Sequence, residues 1–354
     1  MYRQLASVAI GGALAAITTF SGAAEQQPAP AQEAGRLEVL PVAGDVYLLA
    51  GTGANVVVQA AEEGALIVDT SIEASSAQLI AEVRKLTSKP IRYIINTNAD
   101  PDHIRGNERF AAAGLNFATP VPNLAGIGGR EGGRGGGGGG GGGNVGGLRP
   151  TGAQIYAHEE VLQRLSAPTG QAPPVPVALW PTDTFFTPKK TLSFNGEAIE
   201  LLHMPAAHSD GDLLVWFRRS DAIAAGDVYT PDRFPMIDLA RGGSVQGMLD
   251  ALNRVIDITV PRFNQQGGTL VVPGHGRISN ESDVVEYRDM ATIVRDRIQR
   301  MIDQKMTLEQ VRAANPVLDY EGVYGRNTTW TTSMFVEAMY RDLSNRNRAT
   351  SGKR

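Results

Sequence analysis

Short apolar runs broken by turn residues open the readable part of the chain. Leu37–Leu40, Val46–Leu49, Asn55–Val58 and Ala65–Val68 are spaced like antiparallel strands. The segment 75–86 places Leu79, Ile80, Val83 and Leu86 at helical intervals. Ile91–Ile95 is a strand with no polar face, and it runs straight into the polar stretch Asn96–His103. Further on, Gln154–Ala157 reads as a strand and Glu159–Leu165 as a helix. Strands follow near Thr191–Phe194, Ala198–Leu202, Leu213–Phe217 and Ala222–Ala225. Val245–Ile258 is helical, with Met248, Leu249, Leu252, Val255 and Ile256 apolar. Thr269–Val272 is a last strand, ending in Pro273-Gly-His-Gly276. The pattern then turns helical over 284–301, 307–314 and 331–343, the second of these opening with the capping-box sequence Thr307-Leu-Glu-Gln310. Two strand-rich halves with helices between them imply a layered α/β domain over residues 37–280 and a helical extension over 281–354.

The first residues follow a different logic. Arg3, the apolar run Leu5–Phe20 and the small residues Ser21–Ala24 have the form of a signal peptide over 1–24. That implies a periplasmic or secreted protein, with no membrane attachment after cleavage. The Pro/Ala/Gln-rich stretch 25–36 reads as a disordered lead-in. Of 41 glycines, 16 fall within 126–147, an expected mobile insertion.

Composition then narrows the chemistry. The 354 residues carry 33 Lys+Arg against 37 Asp+Glu, a net charge of -4, so nucleic acid is not expected as a partner. There is no cysteine, which excludes disulfides, thiolate nucleophiles and cysteine metal sites. Any metal must sit on His, Asp or Glu. The residues that follow strands supply such a set: Asn98, Asp100, Asp102 and His103 after Ile91–Ile95; His208 and Asp212 after Ala198–Leu202; Asp227 after Ala222–Ala225; and His275 after Thr269–Val272. Strand-end loops are where catalytic groups concentrate, and this mix of donors suits Zn²⁺, Mn²⁺ or Fe²⁺.

These residues resemble the motifs of the metallo-β-lactamase superfamily. Asn96–Asn107 is similar to its loop T-H-x-H-x-D-H-x-G-G-N. Ala207–Asp212, Ala225-Gly-Asp227 and Pro273–Gly276 resemble its later motifs, in the same order. Phe234–Ser244 and the helical tail resemble periplasmic, glyoxalase-II-like members. The resemblance implies an αββα sandwich with a metal site at one edge. It assigns Asp102, His103, Asp227 and His275 to the second metal position, and all four are intact. The first position would use His208 and Asp227, with Asp100 and the weaker donor Asn98 standing where the family has two histidines. The implied cofactor is one or two Zn²⁺, with Mn²⁺ or Fe²⁺ open at the altered position. The implied reaction is attack by a metal-bound hydroxide on an ester, thioester, lactone or amide, β-lactams included, with Asp102 orienting the nucleophile. Two alternatives stay open: a mononuclear iron oxidoreductase using Asp102, His103 and His275, and a catalytically silent periplasmic binding protein. His203, Asp212, Tyr229 and Arg233 are candidates for supporting the ligands or lining the pocket. Gly106 and Asn107 are expected to shape the loop and cap the next helix. The expected partner is a small-molecule substrate; nothing in the sequence fixes an oligomeric state.

Overall fold

A computed structural model describes residues 36–116, 152–168, 170–259 and 268–351. The expected leader (1–24), nearly all of the lead-in and the glycine-rich insertion (126–147) lie outside the described residues. Among those described, no helix is long and apolar enough to cross a membrane.

The first sheet is built in chain order. Strands β1 (Glu38–Ala43), β2 (Val46–Ala50), β3 (Val56–Ala61) and β4 (Gly64–Val68) form an antiparallel meander. β5 (Ile91–Ile95), β6 (Gln154–His158) and β7 (Asp183–Phe185) then add in parallel. Helices α1 (Ser76–Leu86), α2 (Pro101–Ile104), α3 (Asn107–Ala113) and α4 (Glu159–Leu165) lie in the crossovers, as parallel pairing requires. The second sheet has the order β12-β11-β10-β9-β8. It comprises β8 (Lys189–Phe194), β9 (Glu197–Met204), β10 (Asp212–Phe217), β11 (Ala222–Ala224) and β12 (Leu270–Val272), with only β11 and β12 parallel. Between β11 and β12 runs α5 (Val245–Ile258). After β12 come α6 (Glu281–Asp303), α7 (Leu308–Ala313), α8 (Glu321–Tyr324) and α9 (Thr332–Ser351).

Side-chain alternation along the strands explains the layers. Val57 on β3 and Leu213, Val215 and Phe217 on β10 point between the sheets, where they meet Leu48, Leu66, Ile95 and Phe194. Their neighbours Val56 and Val58 turn outward onto Leu79, Val83 and Phe110 of α1 and α3. Leu214 and Trp216 turn the other way, onto Met248, Leu252, Val255, Met290 and Val294 of α5 and α6. The order is therefore helix, sheet, sheet, helix. The helical extension belongs to the last layer: Phe335 and Met339 of α9 share its core.

The elements read from the sequence recur within a few residues, and the Thr307–Gln310 capping box forms. Three short elements escaped that reading, α2, β7 and α8, and α3 was expected only as the helix that follows Gly106 and Asn107. Each is too short to show a period of its own. α3 buries only Asn107 and Phe110. Asn107 is also a correction, because it does not cap α3. Its side chain is buried, accepts from Thr70 and Asn96, and donates to the Asn96 side chain and the Leu179 carbonyl. It thereby ties the β5 loop to the segment before β7.

Candidate metal centre

The loops after β4, β5, β9, β11 and β12 converge at one end of the two sheets. Backbone bonds hold them in place: Leu213 N–H donates to Thr97 O (2.8 Å), Gly274 N–H to Gly226 O (2.8 Å), and Asn55 N–H to Gly274 O (2.8 Å). The approach is close enough to need glycine. Gly226 has φ +50°, and a Cβ there would lie 2.6 Å from Thr97 Oγ1; one on Gly274 would lie 2.7 Å from Asp227 Oδ1.

Two sets of side chains meet at this end, Asp102/His103/His275 and Asp100/His208/Asp227, each with donor atoms within 4.8 Å of one another. His275 Nε2 is 3.1 Å from Asp102 Oδ2, His103 Nε2 is 3.2 Å from Asp227 Oδ2, and His208 Nε2 is 3.3 Å from Asp100 Oδ2. Asp227 lies between the sets, with Oδ1 3.9 Å from His275 Nε2.

The outer nitrogens fix the tautomers. His208 Nδ1–H donates to the Met236 carbonyl (2.9 Å), since a carbonyl can only accept. His103 Nδ1 lies 2.8 Å from Asp69 Oδ2. Both Nε2 atoms are left as bare lone pairs. They are buried, have no hydrogen-bond partner and face carboxylate oxygens. Two acceptors cannot share a hydrogen bond, so a cation must come between them. Without a metal that cation is a proton. Burial opposes charging His208, but the bond that a proton on Nε2 would make to Asp100 and the charges of Asp212 and Asp227 push it up to about 10. His103, also against its burial, is driven well above the ordinary histidine value by Asp227 and Asp69. Asp227, despite burial, is held well below the usual carboxylate range by the three histidines. A site that demands positive charge this strongly, with bare imidazole nitrogens and carboxylates, suits a divalent ion of the zinc, manganese or iron type.

The supporting residues are more varied than the sequence suggested. Asp69, missed in the sequence reading, receives Thr97 N–H (2.8 Å) and Thr97 Oγ1–H (2.7 Å) and orients His103. It sits just past β4 with φ +60°, a strained conformation for a residue with a Cβ. Its place after a strand was the signal available. Asp212 accepts from Ser209 N–H (2.6 Å) and Ser209 Oγ (3.1 Å), bracing the His208 loop. Burial raises its carboxyl to about 7. His203 Nε2 lies 2.6 Å from the Asp210 carbonyl, and its ring stacks on His158 at 3.5 Å. Asn98 turns its oxygen to the Asp100 N–H (2.8 Å) and its amide nitrogen to Asp227 Oδ2 (3.1 Å). It therefore braces the cluster through hydrogen bonds. Tyr229 is fully buried and donates to Ser279, and Arg233 pairs with Asp232. Tyr229 thus packs in the core instead of lining the site.

Arg241 also escaped the sequence reading. Its Nη1 donates to Asp100 Oδ1 and its Nε to Asp238 Oδ2 (2.7 Å). Asp238 in turn caps the Leu239–Arg241 turn by accepting from Ala240 and Arg241 N–H. A cavity of about 490 Å³ opens beside Asp100, His208 and Arg241. Its apolar walls are Met236, Ile237 and Leu239 on one side and Trp330, Met334 and Ala338 on the other. Trp330 Nε1–H donates to the Pro235 carbonyl (3.2 Å), and Phe335 stacks on Phe234 at 4.7 Å, so the extension holds the opposite wall in place.

This sandwich, with its ligand-type loops at one end, has the architecture of a known superfamily. The family model described as the metallo-beta-lactamase superfamily matches residues 49–275, more than half of the chain. The chain belongs to that superfamily. It is 25% identical, over 268 residues, to a linear primary-alkylsulfatase of Pseudomonas sp. (strain ATCC 19151), covering 71% of this chain and 48% of that protein. In structure it resembles the stereoselective inverting sec-alkylsulfatase Pisa1 from Pseudomonas sp. The TM-score is 0.58 at 13% identity, covering 87% of this chain and 50% of that one. It also resembles the DIM-1 metallo-beta-lactamase, with a TM-score of 0.50 at 15% identity, covering 74% of this chain and 99% of that one. The chain thus spans about half the length of the two sulfatases.

Proposed function

We propose that the chain is an exported, metal-dependent hydrolase of a small ester-type substrate that carries an apolar group. The observation behind this reading is the junction of two three-residue donor sets at Asp227, with a cavity, apolar in part and lined also by Asp238, Arg241, Glu337 and Arg341, opening beside Asp100 and His208. Asp102, His103, Asp227 and His275 would hold one ion, and Asp100, His208 and Asp227 would be the donors for another. Divalent ions bound there supply Lewis acidity and a water acidified towards neutral pH. The chain's own residues do the rest. Asp69 and the Met236 carbonyl keep His103 and His208 in the tautomers that leave Nε2 free. Asp102 is the most exposed carboxylate of the cluster and orients the attacking water. Met236, Ile237, Leu239, Trp330 and Met334 hold the apolar part of the substrate and keep bulk water from it. A sulfate ester, carboxylic ester, thioester or lactone meets this description, and the same chemistry extends to an amide. The alkylsulfatase likeness supports the esters first.

The test is turnover of p-nitrophenyl sulfate, p-nitrophenyl butyrate and a chromogenic cephalosporin by the zinc-loaded protein and by Asp102→Ala. Hydrolysis of one ester, reduced by about 10²-fold or more in the variant, is the expected result. Absence of turnover on all three, or activity indifferent to Asp102, would defeat the reading. Oxygen uptake by the iron-loaded protein would replace it with the oxidoreductase alternative.

A further inference from the structure

We infer that Arg241 makes the two metal positions unequal: the Asp102/His103/His275 set binds its ion tightly, and the Asp100/His208/Asp227 set binds a second ion only weakly. The inference rests on the metal-dependent reading above and goes beyond it by assigning an order of filling.

Three contacts carry it. The guanidinium donates directly to Asp100 Oδ1, so one of the two oxygens of this carboxylate is already engaged by a positive charge. That charge is fixed in place, because Asp238 grips Nε and is itself locked to the turn by two backbone N–H groups. Asn98 adds a third constraint. Its oxygen, the one atom that could replace a lost imidazole, is taken by the Asp100 N–H, while its amide nitrogen donates to the shared Asp227 Oδ2 and so does not distinguish the two positions. The donors particular to the Asp100/His208 set are therefore partly satisfied by the protein itself. The other set has no such cation beside it: among the described residues, the ion pairs of Asp102, His103 and His275 run only among themselves and to Asp69 and Asp227, and none of them involves Lys or Arg.

The electrostatics give the sign. A fixed monocation one carboxylate away from an incoming dication repels it, and a carboxylate sharing its charge with a guanidinium is a poorer donor. Both effects weaken the Asp100/His208 position, and the Asp102/His103/His275 position, which has no guanidinium on its carboxylate, feels only the weaker, more distant repulsion. In the resting protein the charge of Asp100 is thus answered by Arg241, and the second ion enters only by sharing Asp100 with it.

The experiment is zinc titration of the full metal-free chain, followed by native mass spectrometry and by competition with a chromophoric chelator. Wild type should hold one zinc tightly and a second at least ~10-fold more weakly. Asp100→Asn should lose only the weak ion. Arg241→Met should tighten the weak ion by ~10-fold or more, and Arg241→Lys, which keeps a charge but not the fork, should fall between. Two equally tight ions in wild type would overturn the inference, even if Arg241→Met did not fold. A weaker second ion in Arg241→Met would also overturn it, making the arginine a clamp that presents Asp100. Failure to bind any zinc would defeat the metal-dependent reading as well, a result distinct from two equal sites.

Discussion

At the scale of single residues, the site depends on which nitrogen of each histidine carries its proton. Asp69 accepts from His103 Nδ1 and from Thr97, so it selects the tautomer with Nε2 free. Asp69→Asn puts an N–H donor beside Nδ1 and drives the imidazole proton onto Nε2, where it blocks coordination. Zinc affinity should fall by about 10–100-fold, read by chelator competition, while Asp69→Glu offers no rescue because its longer arm misplaces the ring. An unchanged affinity would show that Asp69 only stabilises the loop. The ligand-type residues were legible because each follows a strand and carries a motif. Asp69 had the same position but no motif around it. Arg241 had neither: only folding brings it to Asp100, and its partner Asp238 is visible as a cap only once the turn exists. Asn98 was read as a weak ligand because the sequence gives its atoms and not their hydrogen bonds.

At the scale of elements, α4 begins on a titratable cap. His158 Nδ1 accepts from the Glu160 N–H, and the ring stacks on His203. Burial, with the neighbouring His203 second, lowers its pKa to about 4. The folded chain therefore refuses a proton that the unfolded chain takes up near pH 6.5. Between those values the unfolded state binds more protons, so the contribution of His158 to stability is full above about 6.5 and is lost as pH falls towards 4. Asp212, raised to about 7, contributes with the opposite sign over this range, so the readout is a difference: between pH 7 and pH 5 the melting temperature of wild type should fall relative to that of His158→Asn, which can still cap but does not titrate. The layer carrying α9 is tested separately. Phe335 is fully buried against Phe234, and Phe335→Ala should cost about 3–5 kcal/mol in chemical denaturation. Sequence reading found the long elements because α5 and α6 repeat their apolar stripe over several turns. It missed α2 and β7, whose few residues gain their structure from what they pack against.

At the scale of the whole molecule, the donor residues come from both sheets: Asp102 and His103 follow β5, and His208, Asp227 and His275 follow strands of the other sheet. Ions bound there stabilise only the folded chain, so EDTA treatment should lower the melting temperature and added zinc should restore it. At a thousandfold excess over Kd the gain is about 4 kcal/mol. Each sheet is also one unbroken stretch of sequence, β1–β7 up to Phe185 and β8–β12 from Lys189 onward, joined by three residues that include the strongly exposed Phe186. The molecule is thus a natural candidate for fragment complementation. Cut at that link, it yields two pieces that each own half of a binding site, and a divalent ion becomes the reagent that decides whether they find each other again.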